Sequence, residues 1–298
     1  MHPKQQQPAT ASGTFTIGGD LTVYRLGFGA MRLTGEGIWG PPPDKQEALA
    51  VLHRALDLGI NLIDTADSYG PEVSENLIAE ALYPYPKGLV IATKGGLLRT
   101  GPGQWPQDGR PEHLREALEG SLRRLRLNQI DVYQFHRPDP KVPFEDSIGE
   151  IARMRQEGKI RHVGLSNVTL DELTRAQKIV PIVTVQNHYN LSSPQSEHLT
   201  VAESEEMIDR CAREGIGFIP WSPLSAGELA NEGSPLAQIA SQHHAQPGQI
   251  ALGWLLMRSS AILPIPGTGS VKHLEENCAG ATIKLSQEEF DAIRQVVK

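Results

Sequence analysis

The sequence predicts a single closed (β/α)8 barrel of the α/β class, the TIM-barrel architecture. Short apolar runs typical of buried strands alternate with amphipathic helical stretches along the chain, and this alternation indicates parallel βαβ units. Eight such strands fall within a stretch of roughly 270 residues, which is the size of one barrel domain. No Pro-, Gly- or Ser-rich linker divides the stretch, so residues 14–298 are assigned to one domain.

The elements follow in order from the N-terminus. Residues 1–13 are polar and predict a flexible tail that lacks the apolar segment of a secretory signal. Two β-rich runs around Gly18-Gly19 predict a hairpin, which we place at the bottom of the barrel. Apolar runs then predict the barrel strands at residues 25–29, 61–64, 89–93, 130–135, 160–165, 182–186, 216–220 and 261–265. Helical patterns are predicted near residues 74–82, 111–125, 145–157, from 170 onward, 204–214, 235–243, 249–258 and 271–279, with a C-terminal helix over 286–297.

An open, doubly wound sheet is the alternative to a closed barrel. That fold places the pattern Gly-x-Gly-x-x-Gly directly after its first strand. Here Gly27 and Gly29 supply the first two glycines, but Arg32 stands at the third position. The missing glycine favours the barrel.

Composition excludes several classes of function. The chain has 298 residues with a formal net charge of −7 and a pI near 5.8, a charge balance that gives no electrostatic footprint for nucleic acid or an anionic membrane. Cys211 and Cys278 lie far apart without neighbouring ligands, which predicts neither a disulfide framework nor a metal site and fits a reducing, cytoplasmic environment. No apolar run approaches the ~20 residues of a membrane span.

Polar side chains end three consecutive predicted strands. Asp64, Lys94 and His136 end strands 2, 3 and 4, and Tyr69 follows in the loop after Asp64. Alone, each has an ordinary explanation as a turn, cap or solvated residue. Together they would meet in one crevice, because the carboxyl ends of barrel strands lie at one face. Burying a lysine and an aspartate there is costly unless they pair, so the set indicates chemistry.

The chemistry that such a set supports is proton donation to a developing alkoxide. A buried lysine beside a tyrosine is expected to lower the phenol pKa from its usual value near ~10. The carboxylate of Asp64 would hold Lys94 charged, and the imidazole of His136 could orient a carbonyl oxygen. Tyr69 would then act as the general acid in carbonyl reduction by hydride.

Further polar residues suggest a nicotinamide cofactor. Ser166, Asn167 and Gln186 end strands 5 and 6 and could hold a carboxamide, while Trp221 after strand 7 could stack on a ring. The segment "PIPGTGSVKHLEEN" places a Gly-rich turn at a helix N-terminus, a common phosphate site.

These residues resemble the aldo-keto reductase family. The resemblance runs over about residues 15–298 and is carried in order by "GINLIDTADSYGPEVSENLIAEAL", "VIATKGG", "DVYQFHRPD", "RHVGLSNV", "VQNHYNL", "IPWSPLSAG" and "PIPGTGSVKHLEEN". It implies a catalytic tetrad of Asp64, Tyr69, Lys94 and His136. Three stretches, "GPPPD", "REGIGFIPWSPL" and "LPIPGTGSVKHLEEN", are also similar to the branch that includes bacterial pyridoxal reductases.

The resemblance also implies an NADP(H) site. Its residues would be Gly29, Met31, Asp64, Ser166, Asn167, Gln186, Trp221, Ser222, Pro223, Leu224, Gly267, Thr268, Gly269, Ser270, His273, Glu276 and Asn277. Two positions depart from the family pattern: Gly267 replaces a lysine that grips the 2′-phosphate in many members, and His273 replaces an arginine. We nevertheless expect NADPH to be preferred, because Lys272 or His273 can add a charge-assisted bond and no acidic residue begins the segment.

The expected partner is a small-molecule carbonyl substrate, with pyridoxal as a candidate and no nucleic acid, membrane or metal involved. Trp39, Trp105, Arg32 and Arg137 are candidates to line the substrate pocket. A monomer or weak homo-oligomer is expected. Two other classes remain: a cofactor-sensing binding protein like the channel β-subunits that resemble this family, and a barrel isomerase or lyase without nicotinamide. The second leaves "GLSN" and "PGTGS" without a purpose.

Overall fold

The computed structural model describes residues 7–193, 199–231 and 233–296, which form a barrel preceded by a two-stranded hairpin. The hairpin pairs β1 (Thr14–Ile17) with β2 (Leu21–Tyr24), antiparallel, as predicted. Seven parallel strands then pair in chain order to make the curved barrel sheet. They are β3 (Phe28–Gly29), β4 (Leu62–Asp64), β5 (Val90–Gly95), β6 (Ile130–Phe135), β7 (Ile160–Ser166), β8 (Ile182–Gln186) and β9 (Gly217–Phe218).

The predicted eighth strand, 261–265, is reduced to an isolated bridge between Phe218 and Ile262. Leu263 N donates to Phe218 O at 2.8 Å, and Gly27 N donates to Pro264 O at 2.9 Å, so main-chain hydrogen bonds still join this segment to the first and last barrel strands. Pro264 and Pro266 lack an N–H group, which prevents a regular ladder on the side that faces β3. The barrel prediction is confirmed, with its eighth strand irregular.

Helices cover the outside of the barrel. The predicted helices are present to within a few residues at each end, and one further helix, 45–57, was not singled out in the sequence. Asp44 caps that helix through a side-chain bond from Glu47 N. In chain order the α-helices are α1 (Lys45–Asp57), α2 (Val73–Leu82), α3 (Pro111–Leu125), α4 (Phe144–Gln156), α5 (Leu170–Gln177), α6 (Val201–Glu214), α7 (Ala237–Gln242), α8 (Pro247–Arg258), α9 (Val271–Ala279) and α10 (Gln287–Val296).

The hairpin packs beneath the barrel, where its apolar face meets the barrel interior. Ile17, Leu21 and Val23 are buried in one cluster with inward-facing barrel residues such as Val90 and Val132. This cluster is separate from the larger core between the sheet and the helices. The hairpin therefore closes the N-terminal end of the barrel and leaves the carboxyl ends of the strands open for a site.

The segment just before the hairpin differs from the flexible tail expected over 1–13. Residues Pro8–Ser12 form a 3-10 helix, in which Ala9 and Ser12 are buried. Ala9 N donates to Leu58 O at 3.1 Å, and Ser12 Oγ accepts from Leu26 N at 3.0 Å. These long-range contacts hold the segment on the barrel, and its polar composition alone did not indicate them. Positions 1–6 of the tail, and 297–298 after the last helix, lie outside the described residues.

The C-terminal helix α10 is held on α8 by an aromatic contact. Trp254 and Phe290 stack at 5.1 Å between ring centroids, and Trp254 Nε1 donates to Phe290 O. The predicted C-terminal helix is thus part of the domain. In the part of the chain that the structure describes, no helix has the length and apolar content needed to cross a membrane.

Candidate active site

A buried ion pair lies at the carboxyl end of the barrel. Asp64 ends β4 and Lys94 lies near the end of β5, and their exposed side-chain fractions are 2% and 0%. Lys94 Nζ is 2.5 Å from Asp64 Oδ1 and 2.8 Å from Thr65 O. Burial alone would lower the pKa of Lys94, but the Asp64 charge, with Tyr69 and hydrogen bonds to both groups, raises it overall. Lys94 is therefore a cation at neutral pH.

Tyr69 completes the contact with this ion pair. Its Oη lies 3.2 Å from Lys94 Nζ, and the ammonium lies 4.9 Å from the ring centroid. The expectation that Lys94 lowers the phenol pKa below its usual value is wrong in its net direction. Burial raises the pKa of Tyr69, the Lys94 charge lowers it, Asp64 raises it again, and the pKa ends above the ordinary value. Tyr69 is therefore protonated at neutral pH.

His136 lies across the crevice from the phenol. Its ring is perpendicular to that of Tyr69, with centroids 5.9 Å apart, and Ser68 Oγ lies 3.4 Å from its Nδ1. Burial first, and then the charges of Lys94 and Arg137, hold the pKa of His136 well below its usual range. The imidazole is neutral at neutral pH. The structure thus brings all four predicted catalytic residues into one site.

The second carboxylate oxygen of Asp64 accepts two further hydrogen bonds, from buried amides. Gln134 Nε2 donates to Asp64 Oδ2 at 2.9 Å and Gln186 Nε2 donates to the same atom at 2.8 Å. Gln186 was expected to hold a cofactor carboxamide, but its amide nitrogen is engaged with Asp64. Gln134 was missed in the sequence. A signal existed, because Gln134 lies in β6 two residues before His136, which directly follows the strand, and the alternation of side chains along a strand puts both on one face.

The predicted carboxamide residues lie beside the histidine. Asn167 has a left-handed backbone (φ 57°) that turns its side chain back toward the site, where Nδ2 donates to His136 O and Ser166 Oγ, both at 3.0 Å. Trp221 Nε1 donates to Asn167 Oδ1 at 3.0 Å, and the Trp221 ring lies 4.4 Å from that of His188. Hydrogen bonds therefore connect the ends of β6 and β7 to the loop after β9.

The glycines of the 266–270 segment have a packing reason that the sequence did not reveal. A Cβ atom on Gly267 would come 2.5 Å from Gly29 O, and one on Gly29 would come 2.6 Å from Ile265 O. The two backbones touch, and Gly29 is the strand neighbour of Asp64. Gly267 therefore seats the segment against the first barrel strand, close to the tetrad.

The N-terminus of α9 is capped by an acid from another helix. Glu47 of α1 accepts a hydrogen bond from Val271 N at 2.9 Å through its Oε1. Within the described residues Ser270 makes no side-chain cap, while Ser270 N donates to Thr268 Oγ1 at 3.1 Å. The sequence predicted that no acidic residue at the start of this segment would repel a phosphate. That is true of the neighbouring sequence, but Glu47, more than two hundred positions away in the chain, brings a carboxylate to the same place.

The remaining predicted cofactor residues lie just after β3, in the loop after β9 and on α9. Ser222 has a left-handed backbone (φ 58°), and its carbonyl accepts from Asn190 Nδ2 at 3.0 Å. Lys272 lies 3.8 Å from Glu276 one turn later on α9. Pro223 is buried and His273 is exposed. The half-buried members are Met31, Ser222, Leu224, Ser270, Glu276 and Asn277.

A second carboxyl group lies beside the tetrad. Asp67 lies in the loop between Asp64 and Tyr69, where burial, and then the charge of Glu75, raise its pKa to about 8. Its Oδ1 has no hydrogen-bond partner among the residues that the structure describes.

Over that same part of the chain, no three His, Cys, Asp or Glu residues cluster in a way that could hold a metal ion.

A parallel barrel that buries a lysine in contact with both an acid and a tyrosine at its strand ends is an enzyme scaffold of the (β/α)8 class. The family follows from comparison. The model of the Aldo/keto reductase family matches residues 25–298, and the chain belongs to that family of oxidoreductases.

Several relatives agree with this assignment. An uncharacterised oxidoreductase of Schizosaccharomyces pombe is 52% identical over 95% of this chain and 89% of its own length. A pyridoxine 4-dehydrogenase of Escherichia coli is 43% identical over 93% and 96%. Among solved structures, a glycerol dehydrogenase of Gluconobacter oxydans superimposes with a TM-score of 0.84 at 27% identity, over 96% of this chain and 95% of that one. A 23% identical aldo-keto reductase of Klebsiella pneumoniae, solved with NADPH, shares the fold at a TM-score of 0.76, over 95% and 94%.

Proposed function

We propose that this protein reduces a small aldehyde or ketone to the alcohol with NADPH, using Tyr69 as the general acid. The observation that carries the proposal is the Tyr69 phenol, buried and protonated, 3.2 Å from an ammonium that is itself paired with Asp64 at 2.5 Å. A proton donor held this way suits a reaction in which negative charge develops on an oxygen atom.

The proton transfer involves three side chains. When bound, the nicotinamide supplies a hydride to the carbonyl carbon. The Tyr69 hydroxyl gives its proton to the carbonyl oxygen, and the Lys94 ammonium stabilises the phenolate that remains. Asp64 holds Lys94 in place and charged, while Gln134 and Gln186 fix the position of Asp64. Solvent must return one proton to Tyr69 in each cycle.

His136 orients the substrate. Its imidazole is neutral, so it approaches a carbonyl oxygen as a hydrogen-bond donor without adding a second positive charge beside Lys94. Ser68 Oγ can donate to Nδ1 over 3.4 Å, which leaves the proton on Nε2 for the substrate oxygen. Two donors, Tyr69 and His136, then fix the carbonyl at the end of the barrel.

The residues fit a nicotinamide dinucleotide. Ser166 and Asn167 present hydroxyl and amide groups beside His136, and Trp221 is anchored next to them by its indole N–H. The Gly-rich 266–270 segment touches the first barrel strand and leads into α9, whose N-terminal N–H groups suit a phosphate. Ser166, Asn167 and the amide oxygen of Gln186, whose nitrogen is engaged with Asp64, would hold the carboxamide, and Thr268, Ser270 and His273 would hold the 2′-phosphate.

Small aldehydes are the proposed substrate class, with pyridoxal as a leading candidate. The relative named pyridoxine 4-dehydrogenase supports this choice through its 43% identity over most of both chains. Trp39 and Trp105 lie at the open end of the site, half-buried, and provide flat apolar surface for a ring. Glucose, bulky steroids and free acids are expected to be poor substrates.

The test has a binding step and a turnover step. Titration with NADPH is expected to quench tryptophan fluorescence, because Trp221 lies in the proposed site, and the bound NADPH should then be oxidised on adding pyridoxal or a simple aldehyde. Absence of quenching would count against the cofactor, and turnover of steroid ketones well above every aldehyde would count against the substrate class. Binding without turnover would favour the cofactor-sensing alternative.

A further inference from the structure

One arginine ties together the loops at the open end of the barrel. All five N–H donors of Arg99 reach main-chain carbonyl oxygens. Nη1 donates to Ile38 O at 2.6 Å and Ser68 O at 2.9 Å. Nη2 donates to Gly37 O at 2.9 Å and Gly101 O at 3.4 Å, and Nε donates to Gln104 O at 2.9 Å. The acceptors belong to the loops after β3, β4 and β5, which are otherwise separate in sequence.

The same guanidinium also approaches the rings of two tryptophans. Its central carbon is 3.6 Å from the ring centroid of Trp105 and 5.5 Å from that of Trp39. The first distance is that of a cation–π contact in which the guanidinium stacks on the ring; an ammonium can also lie over a ring, but it has no plane with which to stack. Arg99 thus fixes the position of two aromatic rings as well as three loops.

Both tryptophans adjoin the segment that carries Tyr69. Trp105 meets the Tyr69 ring edge-on, with centroids 6.3 Å apart. Trp39 forms an isolated bridge with Gly70, the residue after Tyr69. The carbonyl of Ser68 accepts from Arg99, and the hydroxyl of Ser68 lies 3.4 Å from His136 Nδ1. A displacement of Arg99 would therefore reach the acid and the orienting histidine together.

We propose that Arg99 is a positioning residue that holds Trp105 and Trp39 as a flat wall beside Tyr69, and that this wall makes the site selective for flat, ring-bearing aldehydes. This inference rests on the proposed function, since it assumes that Tyr69 protonates a carbonyl. Its chemical content is the fixed wall: a flat ring makes a larger and closer contact with an indole face than a puckered ring of the same size.

The test compares benzaldehyde with cyclohexanecarbaldehyde, which match in size and differ in flatness. Arg99→Met keeps the aliphatic stem and removes the guanidinium. We expect kcat/KM for benzaldehyde to fall about tenfold or more, because misplacements of about 1 Å can cost up to ~10²-fold. The preference for benzaldehyde over cyclohexanecarbaldehyde should fall by roughly fivefold, with the NADPH dissociation constant unchanged within about twofold. Arg155→Met is the matched control, because Arg155 also donates to a carbonyl, Arg161 O at 3.2 Å, but on the outer helix α4.

A double variant separates positioning from general loosening. If Arg99 acts through Trp105, adding Arg99→Met to Trp105→Leu should change the aldehyde preference little further, because coupled residues are not additive. An unchanged preference in Arg99→Met, or full additivity in the double variant, would overturn the inference. Arg99→Lys keeps charge with only three donors, so it tests the same point if Arg99→Met does not fold. A wild type that binds no NADPH or reduces neither aldehyde would overturn the proposed function, and this inference with it.

Discussion

The Lys94 ammonium contacts three oxygens: the Asp64 carboxylate, the Thr65 carbonyl and the Tyr69 phenol. Three donors and three acceptors leave it fully satisfied inside the protein, which is the condition for a stable buried charge. The phenol is the weakest of the three acceptors while it is protonated. Once its proton has left, the phenolate carries a negative charge and accepts more strongly from the ammonium. Lys94 therefore stabilises the state that follows proton donation more than the state before it.

Replacement of Tyr69 by phenylalanine tests the acid directly. Tyr69→Phe keeps the ring and its edge contact with Trp105 but removes the donor. General acid catalysis contributes ~10²–10⁴-fold, so kcat for aldehyde reduction should fall by about that factor while the NADPH dissociation constant barely changes. Single-turnover rates with NADPH in excess give the measurement. Retention of more than about a tenth of wild-type kcat would show that another group donates the proton.

Removing the lysine leaves a buried carboxylate without its cation. Breaking a buried ion pair costs ~3–5 kcal/mol, so Lys94→Met should lower the unfolding free energy by about that amount and abolish most activity. The two amides on Asp64 Oδ2 would remain and soften the loss. Chemical denaturation at neutral pH measures the stability change.

The matched control is the double variant Lys94→Met with Asp64→Asn. Neutralising both partners removes the stranded charge, so stability should partly recover while activity stays low, because the phenolate still lacks its cation. A fully stable and active Lys94→Met protein would show that Lys94 does not support the site.

The residues that can be predicted from sequence are those that end strands. Asp64, Lys94 and His136 follow apolar runs directly, and barrel geometry brings such positions together. The net direction of the Tyr69 pKa could not be predicted, because it depends on how strongly burial competes with one nearby charge. The contacts of Arg99 could not be predicted either, because its guanidinium donates to main-chain carbonyl oxygens, which every residue carries.

At the level of elements, α1 and α9 meet where a phosphate is proposed to bind. Glu47 of α1 satisfies Val271 N at the start of α9 and so replaces the local cap that Ser270 does not provide. A carboxylate at a helix N-terminus is favourable in itself. A 2′-phosphate would have to bind beside that negative charge or displace it, whereas the bare ribose of NADH carries no such charge. Glu47 therefore opposes the preference for NADPH that we propose for this segment.

Replacing Glu47 with glutamine should strengthen that preference. Glu47→Gln keeps a carbonyl oxygen that can accept from Val271 N but removes the charge. The affinity for NADPH should rise by about five- to tenfold, which is ~1–1.4 kcal/mol, with the NADH affinity unchanged within about twofold. Fluorescence titration of both cofactors with wild type and variant gives the ratio.

Ser270→Ala with His273→Ala provides the opposite control, because it removes two proposed phosphate contacts and should lower the NADPH affinity alone. Equal affinities for NADPH and NADH in the wild type, in Glu47→Gln and in the double variant would mean that the 2′-phosphate does not bind at the N-terminus of α9. A loss of NADPH affinity in Glu47→Gln would instead assign Glu47 a supporting role in the site.

At the scale of the whole molecule, the alternation of strands and helices was sufficient to predict the barrel. What the sequence could not provide was the way the barrel closes. The segment 261–265 has the apolar run of a strand, but Pro264 accepts one hydrogen bond from Gly27 N and cannot donate one back. Closure also depends on packing beneath the sheet, where the hairpin fills the barrel interior with Ile17, Leu21 and Val23.

The hairpin is fastened to the barrel wall by charged groups at its turn. Asp20 follows the Gly18-Gly19 turn, and its carboxylate accepts from Arg161 Nη2 at 2.8 Å and lies 2.6 Å from His162 Nε2. Both partners belong to β7, so the contact joins the hairpin to the barrel sheet. The hydrogen bond from Arg161 is the largest influence, and it holds the pKa of Asp20 below its usual 3.8 despite an opposing effect of burial.

This fastening should make a small, pH-dependent contribution to stability. A carboxyl whose pKa is lower in the folded state stabilises the fold above its unfolded pKa, and the contribution disappears as pH falls through the folded pKa. Asp20→Asn should therefore lower the melting temperature by about 1–3 °C between pH ~5 and 8, and the difference should shrink below pH ~4. Asp57→Asn is the control, because Asp57 faces Arg54 only at 3.9 Å on the outer helix α1. If the melting-temperature difference from wild type stays constant down to pH ~3, the Asp20 charge does not stabilise the contact between the hairpin and the barrel. The effect of the substitution would then come from the turn geometry alone.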